Sequence, residues 1–151
     1  MEQQKLSLVT SPNWLDYALL DSGNLRKFER FGPYRFIRPE PQAMWQPRLD
    51  EAAWVADGVF VPGKNDQEDG EGGGWQLSET LPPSWQLGYQ SLRFLARPTP
   101  FRHLGFFPEQ AAHWDWCADA IRTFIQTHKR PPRILNLFAY SGLASLHAAA
   151  A

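Results

Sequence analysis

The chain has 151 residues, 43% of them hydrophobic and 21% charged, and its 7 Trp, 10 Phe and 4 Tyr make it rich in aromatic side chains. This composition excludes wholesale disorder and collagen-like or coiled-coil architectures, and the length suffices to bury a real core. The net charge of -1 gives no global sign of a nucleic-acid or cation partner, so any such signal must be local.

Two further features bear on the compartment. Cys117 is the single cysteine and cannot form an internal disulfide, and the first residues lack a secretory pattern, so we expect a cytoplasmic protein. No window reaches the ~18 continuous apolar residues of a membrane span, so we expect no membrane partner.

The first predicted element is a basic hairpin over residues 26–38. Aromatic residues alternate with cations there, and Gly32-Pro33 separates two short runs, which predicts two strands joined by a turn. Cations and aromatic rings are the groups that hold RNA, so the segment is a candidate RNA-binding patch. The alternative is a half-buried hairpin with a solvated charged face. The candidate phosphate contacts are Arg26, Lys27, Arg30, Arg35 and Arg38.

Strand alternation limits how many of these cations face one way. We expect Arg26 and Arg30 to share a face that excludes Lys27, and Arg35 to oppose Arg38. Two or three phosphate contacts are therefore expected.

The chain from residue 39 to residue 98 continues the β-rich pattern. Closely spaced prolines forbid a helix after the hairpin, residues 45–61 are ambiguous between helix and strand, and the acidic, glycine-rich residues 62–74 predict an exposed loop. Two short aromatic runs follow, and residues 91–97 predict another strand. We therefore predict a β-leaning first region over residues 1–98.

An amphipathic helix is predicted after Pro108, which suits a first helical turn. Apolar residues recur at three- and four-residue spacing from Trp114 to Ile125, and cations at residues 128–130 precede the prolines that stop the helix. Cys117 lies on this apolar stripe, so we interpret it as a buried core thiol.

The last elements read as strand, tight turn and helix. Residues 133–138 form a short apolar run that suits a buried strand, and an alanine-rich helix begins at Leu143. The overall fold class is therefore α+β to α/β, with a second region over residues 99–151 that opens a Rossmann-like domain. Because that strand would lack neighbours and the helix lacks a stop, we expect a truncated domain, the amino-terminal part of a longer protein.

Residues 136–142 occupy the turn where open α/β sheets bind ligands. The turn has one glycine and no lysine, so a dinucleotide fingerprint and a P-loop both fit poorly. Spacing alone leaves a cofactor turn and an ordinary strand-to-helix connection both open. His103, His113 and Cys117 supply too few ligands for structural zinc, so we expect no metal.

The sequence around this turn carries a resemblance. Residues 134–145, ILNLFAYSGLAS, resemble motif I of the class I S-adenosylmethionine-dependent RNA methyltransferases that modify 23S rRNA, whose turn usually reads NLFAYTG; Ser141 stands where Thr is usual. Residues 103–110 resemble the same group's G-x-F-x-x-Q segment. Residues 20–34 are similar to the amino-terminal part of bacterial members.

The resemblance implies S-adenosylmethionine as cofactor and RNA, specifically ribosomal RNA, as partner. It implies that Asn136, Phe138, Tyr140, Ser141 and Gly142 line the methionine end of the cofactor and that Gln110 contacts it from the preceding helix. Catalytic residues would lie beyond Ala151, so none can be named, and we expect the 151-residue chain alone not to methylate RNA. Two alternatives remain: a non-catalytic RNA- or protein-binding module, and another Rossmann-like enzyme such as an oxidoreductase.

Overall fold

The computed structural model describes residue 10, residues 14–63 and residues 73–151. The chain divides into two compact units, one formed by Trp14–Phe106 and the other containing residues 107–151. The boundary predicted at residue 98 stays a prediction.

The unit Trp14–Phe106 contains a five-stranded mixed sheet whose spatial order follows the sequence. All neighbouring strands are antiparallel except the parallel pair β3 and β4. The strands are β1 (Tyr17–Gly23), β2 (Arg26–Phe31), β3 (Tyr34–Pro39), β4 (Gly58–Val61) and β5 (Gly74–Leu77).

The predicted basic hairpin is confirmed as β2 and β3. Phe31 pairs with Tyr34 across a two-residue turn, and Gly32 adopts a φ of 63°, which glycine tolerates best. The segment 45–61, whose type the sequence left open, forms a 3₁₀ turn at Glu51–Ala53 and then β4. Of the predicted loop 62–74, residues 64–72 lie outside the described residues, and Gly74 already belongs to β5.

A second sheet holds β6 (Trp85–Tyr89) and β7 (Leu92–Ala96), so the strand predicted over residues 91–97 is confirmed. The Trp85 indole stacks on Phe36, with ring centroids 5.5 Å apart, and its N–H donates to the Phe31 carbonyl at 3.0 Å. This pairing joins the small sheet to the hairpin and gives the unit an aromatic core.

The hairpin also carries an ion pair inside the core. Glu29 is fully buried and Arg38 nearly so, and the guanidinium donates to both carboxylate oxygens at 2.7 and 2.8 Å. The Tyr17 hydroxyl donates to the same carboxylate at 3.0 Å, and Arg38 also donates to the Arg102 carbonyl at 3.0 Å. Buried charges persist when every polar atom has such partners.

The unit containing residues 107–151 is helical in its described part. A 3₁₀ turn at Pro108–Gln110 leads into α1 (Ala111–His128), and α2 (Leu143–Ala149) follows the turn. The predicted helix and its stop are confirmed, with Lys129 in the left-handed region closing the last turn onto the Ile125 carbonyl.

Two expectations about this unit are wrong. Cys117 is exposed, because the buried face of α1 runs through Ala111, Trp114, Ala118 and Ile121, and residue 117 is rotated about 100° from residue 118. Residues 133–138 form no strand, and Leu135 and Phe138 are 81% and 95% exposed.

The physical reason for the missing strand is the absence of partners. A parallel strand needs neighbours for its backbone groups, and no strand lies within the described part of residues 107–151. The β-rich first region and helical second region agree with a mixed α/β fold, whereas the described residues show no Rossmann-like strand order. No helix in the described part of the chain has the length and apolar character to cross a membrane.

Candidate functional site

The turn between residue 136 and α2 collects five of the six predicted cofactor residues. Gly142 precedes α2 with a φ of 81°, its N–H donates to the Ala139 carbonyl at 2.7 Å, and its carbonyl accepts from Leu146 at 2.9 Å. Tyr140 also has a positive φ, 46°. Positive φ at a non-glycine residue costs free energy, so the surrounding bonds hold this turn in a specific conformation.

Hydrogen bonding and ring contacts link the turn to its neighbours. The Asn136 amide donates to the Ser145 hydroxyl at 3.0 Å, which joins the start of the turn to α2. The Tyr140 ring lies 5.5 Å from the Phe107 ring, immediately before the 3₁₀ turn that ends at Gln110. The structure thus brings the two segments that carry the resemblance close together, although Gln110 itself contacts His113, with 3.1 Å between Oε1 and Nδ1.

The surfaces of this turn are open. Phe138, Tyr140 and Ser141 are exposed, and a Cβ added to Gly142 would meet no heavy atom within 4 Å. Phe138 is 95% exposed and so does not belong to the core. Exposed aromatic rings beside an open backbone are what a ligand with apolar and polar parts could contact.

A cavity of about 290 Å³ lies elsewhere in the same unit. It is lined mainly by apolar groups of α1, α2 and the segment between them, including Ile121, Ile125 and Ile134. None of the six predicted cofactor residues lines it, although its lining includes Ser145, the hydrogen-bond partner of Asn136.

Sequence reasoning missed a buried histidine in α2. His147 Nε2 lies 3.3 Å from an Asp115 carboxylate oxygen of α1. Burial lowers the pKa of His147, against the raising effect of Asp115 and with a smaller lowering effect of Arg122. The alanine-rich composition predicted the helix, but nothing local predicts which polar residue turns inward.

The five cations of the hairpin differ in how far they are neutralised. Arg26 pairs with Glu51, Lys27 pairs with Glu40 at 3.0 Å, and Arg38 is committed to the buried Glu29. Arg38 is therefore withdrawn from the surface set, because burial removes it from any phosphate.

The other two cations lie opposite each other. Arg30 pairs with Arg35 in the register of β2 and β3, so the two side chains share one face, as does Arg26. Arg30 donates to the carbonyls of Gly32 and Leu15. Arg35 is exposed and makes no ion pair with any residue that the structure describes. The predicted alternation of faces is confirmed.

Among the described residues, no group of three or more His, Cys, Asp or Glu side chains could hold a metal ion.

Comparison with solved structures identifies a similar protein. The crystal structure of a SAM-dependent methyltransferase from Agrobacterium tumefaciens is 43% identical to this chain over 93% of its length, with a TM-score of 0.77. This similarity supports the assignment of the chain to the SAM-dependent methyltransferase family. The chain spans 42% of the length of that methyltransferase. No protein-family model matches the chain, and no curated protein matches it.

Proposed function

We propose that this chain forms part of a methyltransferase that uses S-adenosylmethionine to modify RNA, with ribosomal RNA as its substrate. The observation that carries the proposal is the 43% identity to a SAM-dependent methyltransferase over 93% of the chain. The open turn at residues 136–142, with two positive φ values and exposed rings, supports the same conclusion.

Gly142 shows that the turn leaves room for the cofactor to approach the backbone. The space beside its Cα holds no atom within 4 Å, and its φ of 81° suits glycine. A ligand can approach such a backbone closely. The residues that would hold S-adenosylmethionine are Asn136, Phe138, Tyr140, Ser141 and Gly142, with Gln110 nearby.

The side chains of the turn would bind S-adenosylmethionine and orient it. The amide of Asn136 and the hydroxyl of Ser141 offer hydrogen bonds, and the rings of Phe138 and Tyr140 offer apolar faces. The bound cofactor supplies an electrophilic methyl group. Holding two reactants in line is the main contribution a protein makes to such a transfer.

The cofactor proposal is tested at Gly142 in the protein expressed from its complete gene. Asparagine tolerates positive φ, so Gly142→Asn keeps the turn but fills the open space with a side chain. We expect calorimetric S-adenosylmethionine affinity to fall roughly tenfold or more, about 1.4 kcal/mol, with little change in thermal midpoint.

Gly74→Ala is the matched control, because a Cβ added there also meets no atom within 4 Å. It should change neither affinity nor midpoint. If Gly142→Asn binds S-adenosylmethionine as tightly as the wild type, the turn is an ordinary connection and the cofactor proposal is wrong.

The RNA proposal rests on the cations of the hairpin. Like charges directly opposite in a ladder are destabilising, and Arg30 and Arg35 occupy such positions. A phosphate between them would relieve the repulsion. The surface proposed to contact RNA is therefore the face that Arg26, Arg30 and Arg35 share.

A salt series distinguishes this role from a structural one. Arg35→Ala should lower the log-log salt slope of RNA affinity by roughly 0.7, the expected loss for one phosphate contact on a single strand. Arg122→Ala removes an exposed cation from α1 and should leave the slope unchanged. Equal slopes for wild type and Arg35→Ala would refute the patch.

A further inference from the structure

One surface feature with no role so far is an exposed tryptophan whose indole is held by a hydrogen bond. Trp45 is 56% exposed, yet its indole N–H donates to the Ser22 carbonyl at 2.9 Å. Its own carbonyl accepts from the Asn24 N–H at 2.8 Å. The indole and the backbone of the residue are therefore both tied to the tip of the β1–β2 hairpin, while 56% of its surface is exposed.

The backbone beneath Trp45 is strained and closely packed. Asn24 and Leu25 form the two-residue turn between β1 and β2 with φ values of 49° and 62°. Leucine is unfavourable there, because such turns favour glycine. Leu25 is held by two hydrogen bonds, from its N–H to the Ala43 carbonyl and from the Glu40 N–H to its own carbonyl.

The segment that carries Trp45 continues along the end of β1. The Asp21 carboxylate accepts from the backbone N–H groups of Arg48 and Leu49, at 3.2 and 2.7 Å. A Cβ added to Gly23 would lie 2.8 Å from the Gln46 carbonyl carbon, so the two segments pack without space between them. The segment is a rigid support rather than a loose loop.

A cation completes the surface. Arg48 is exposed three residues after Trp45, and its side chain makes no ion pair with the described residues. Neighbouring Met44 is also exposed. We call Trp45, Met44 and Arg48 the Trp45 platform.

We propose that the Trp45 platform binds an unstacked nucleobase of single-stranded RNA, with the base on the Trp45 ring and Arg48 on an adjacent phosphate. This inference rests on the proposed RNA substrate and adds a stacking site distinct from the Arg30–Arg35 face. A flat, immobilised ring is suited to stacking because every base has a π-face and the ring loses little entropy on binding. The exposed Arg48 guanidinium supplies the complementary charge.

The experiment measures binding of fluorescently labelled oligouridylate and oligoadenylate to the protein expressed from its complete gene, across a salt series. Loss of a stacking ring should weaken affinity roughly 5- to 150-fold for Trp45→Ala, with an unchanged salt slope. Trp45→Phe should keep most of the affinity, and Trp45→Leu should not, because leucine keeps the apolar surface but lacks a π-face. Arg48→Ala should reduce the slope by roughly 0.7.

Trp116→Ala is the matched control, since Trp116 is 65% exposed on α1, and it should bind as the wild type does. Circular dichroism of each variant checks that the sheet is intact. An RNA duplex stem should be insensitive to Trp45→Ala, because its bases are already stacked.

The possible outcomes separate the platform from the proposed function. If Trp45→Ala binds single strands normally while Arg35→Ala loses affinity, the stacking site is wrong and the RNA substrate stands. If Trp45→Leu retains full affinity, the surface is a general apolar contact and stacking is refuted. If the wild type binds no RNA but binds S-adenosylmethionine, both RNA assignments are wrong and the cofactor proposal stands.

Discussion

Replacing Arg38 with methionine tests whether the buried ion pair holds the unit Trp14–Phe106 together. The change removes both charge-assisted bonds to Glu29 and the bond to the Arg102 carbonyl. It leaves a fully buried carboxylate that still accepts a hydrogen bond from the Tyr17 hydroxyl. Removing one partner of a buried pair costs about 3–5 kcal/mol, so we expect the free energy of unfolding to fall by that amount.

The double variant Glu29→Leu with Arg38→Met separates the charge from the packing. It removes the unpaired carboxylate and leaves apolar side chains of similar volume, an exchange that is often nearly neutral. The Tyr17 hydroxyl and the Arg102 carbonyl would each lose a partner, at about 1 kcal/mol apiece. The double variant should therefore be more stable than Arg38→Met alone by about 1–3 kcal/mol.

Urea denaturation gives the free energies, and amide hydrogen exchange of β2 and β3 confines the readout to this unit. Lys27→Met is the control, because its pair with Glu40 lies nearer the surface and such pairs contribute about 0–1 kcal/mol. The reasoning would be refuted if Arg38→Met were as stable as the control. It would also be refuted if the double variant were less stable than the single one.

Three further predictions concern other positions. Leu25→Gly should raise the free energy of unfolding by about 1 kcal/mol, because glycine relieves a positive φ at an exposed residue; a lower thermal midpoint would contradict this. Gly58→Ala should cost about 1–3 kcal/mol by overpacking, since a new Cβ would lie 2.6 Å from the buried Phe36 ring, whereas Gly74→Ala should be neutral in the same urea titration. Because burial lowers the pKa of His147, its neutral form favours folding; the contribution is full above pH ~6.5 and is lost as pH falls through the lowered value. A His147→Gln variant should lose this part of the pH dependence in thermal melts, and an unchanged profile would show that His147 contributes none of it.

The hairpin and α1 could be predicted because their signals are local. Alternation with a Gly-Pro turn predicted β2 and β3, and three- and four-residue spacing with terminal prolines predicted α1. The burial of Arg38 could not be predicted in this way. It depends on Glu29, which lies diagonally across the ladder, and on the Arg102 carbonyl 64 residues away in sequence.

The errors have the same origin. An apolar run predicted a buried strand at residues 133–138, but a strand forms only where partner strands are in place. Cys117 belongs to the apolar stripe of α1, but only part of that stripe is buried, and Cys117 lies outside the buried part. For the candidate cofactor site, the positions of the turn and of α2 were predicted, and the role of each residue came from the resemblance.

The contact between Trp14 and Phe106 brings the two ends of the unit Trp14–Phe106 together. Their rings are 5.9 Å apart, and these two residues are the first and last of the unit. Trp14 is also fixed to β6, with its N–H donating to the Gly88 carbonyl at 2.7 Å. A unit whose entry and exit points adjoin can be joined end to end and reopened elsewhere, or inserted into a surface loop of another protein, without stretching its backbone. The β2–β3 turn is unsuited as the new opening, because it is packed against β6: a Cβ at Gly32 would meet Leu87 at 2.9 Å.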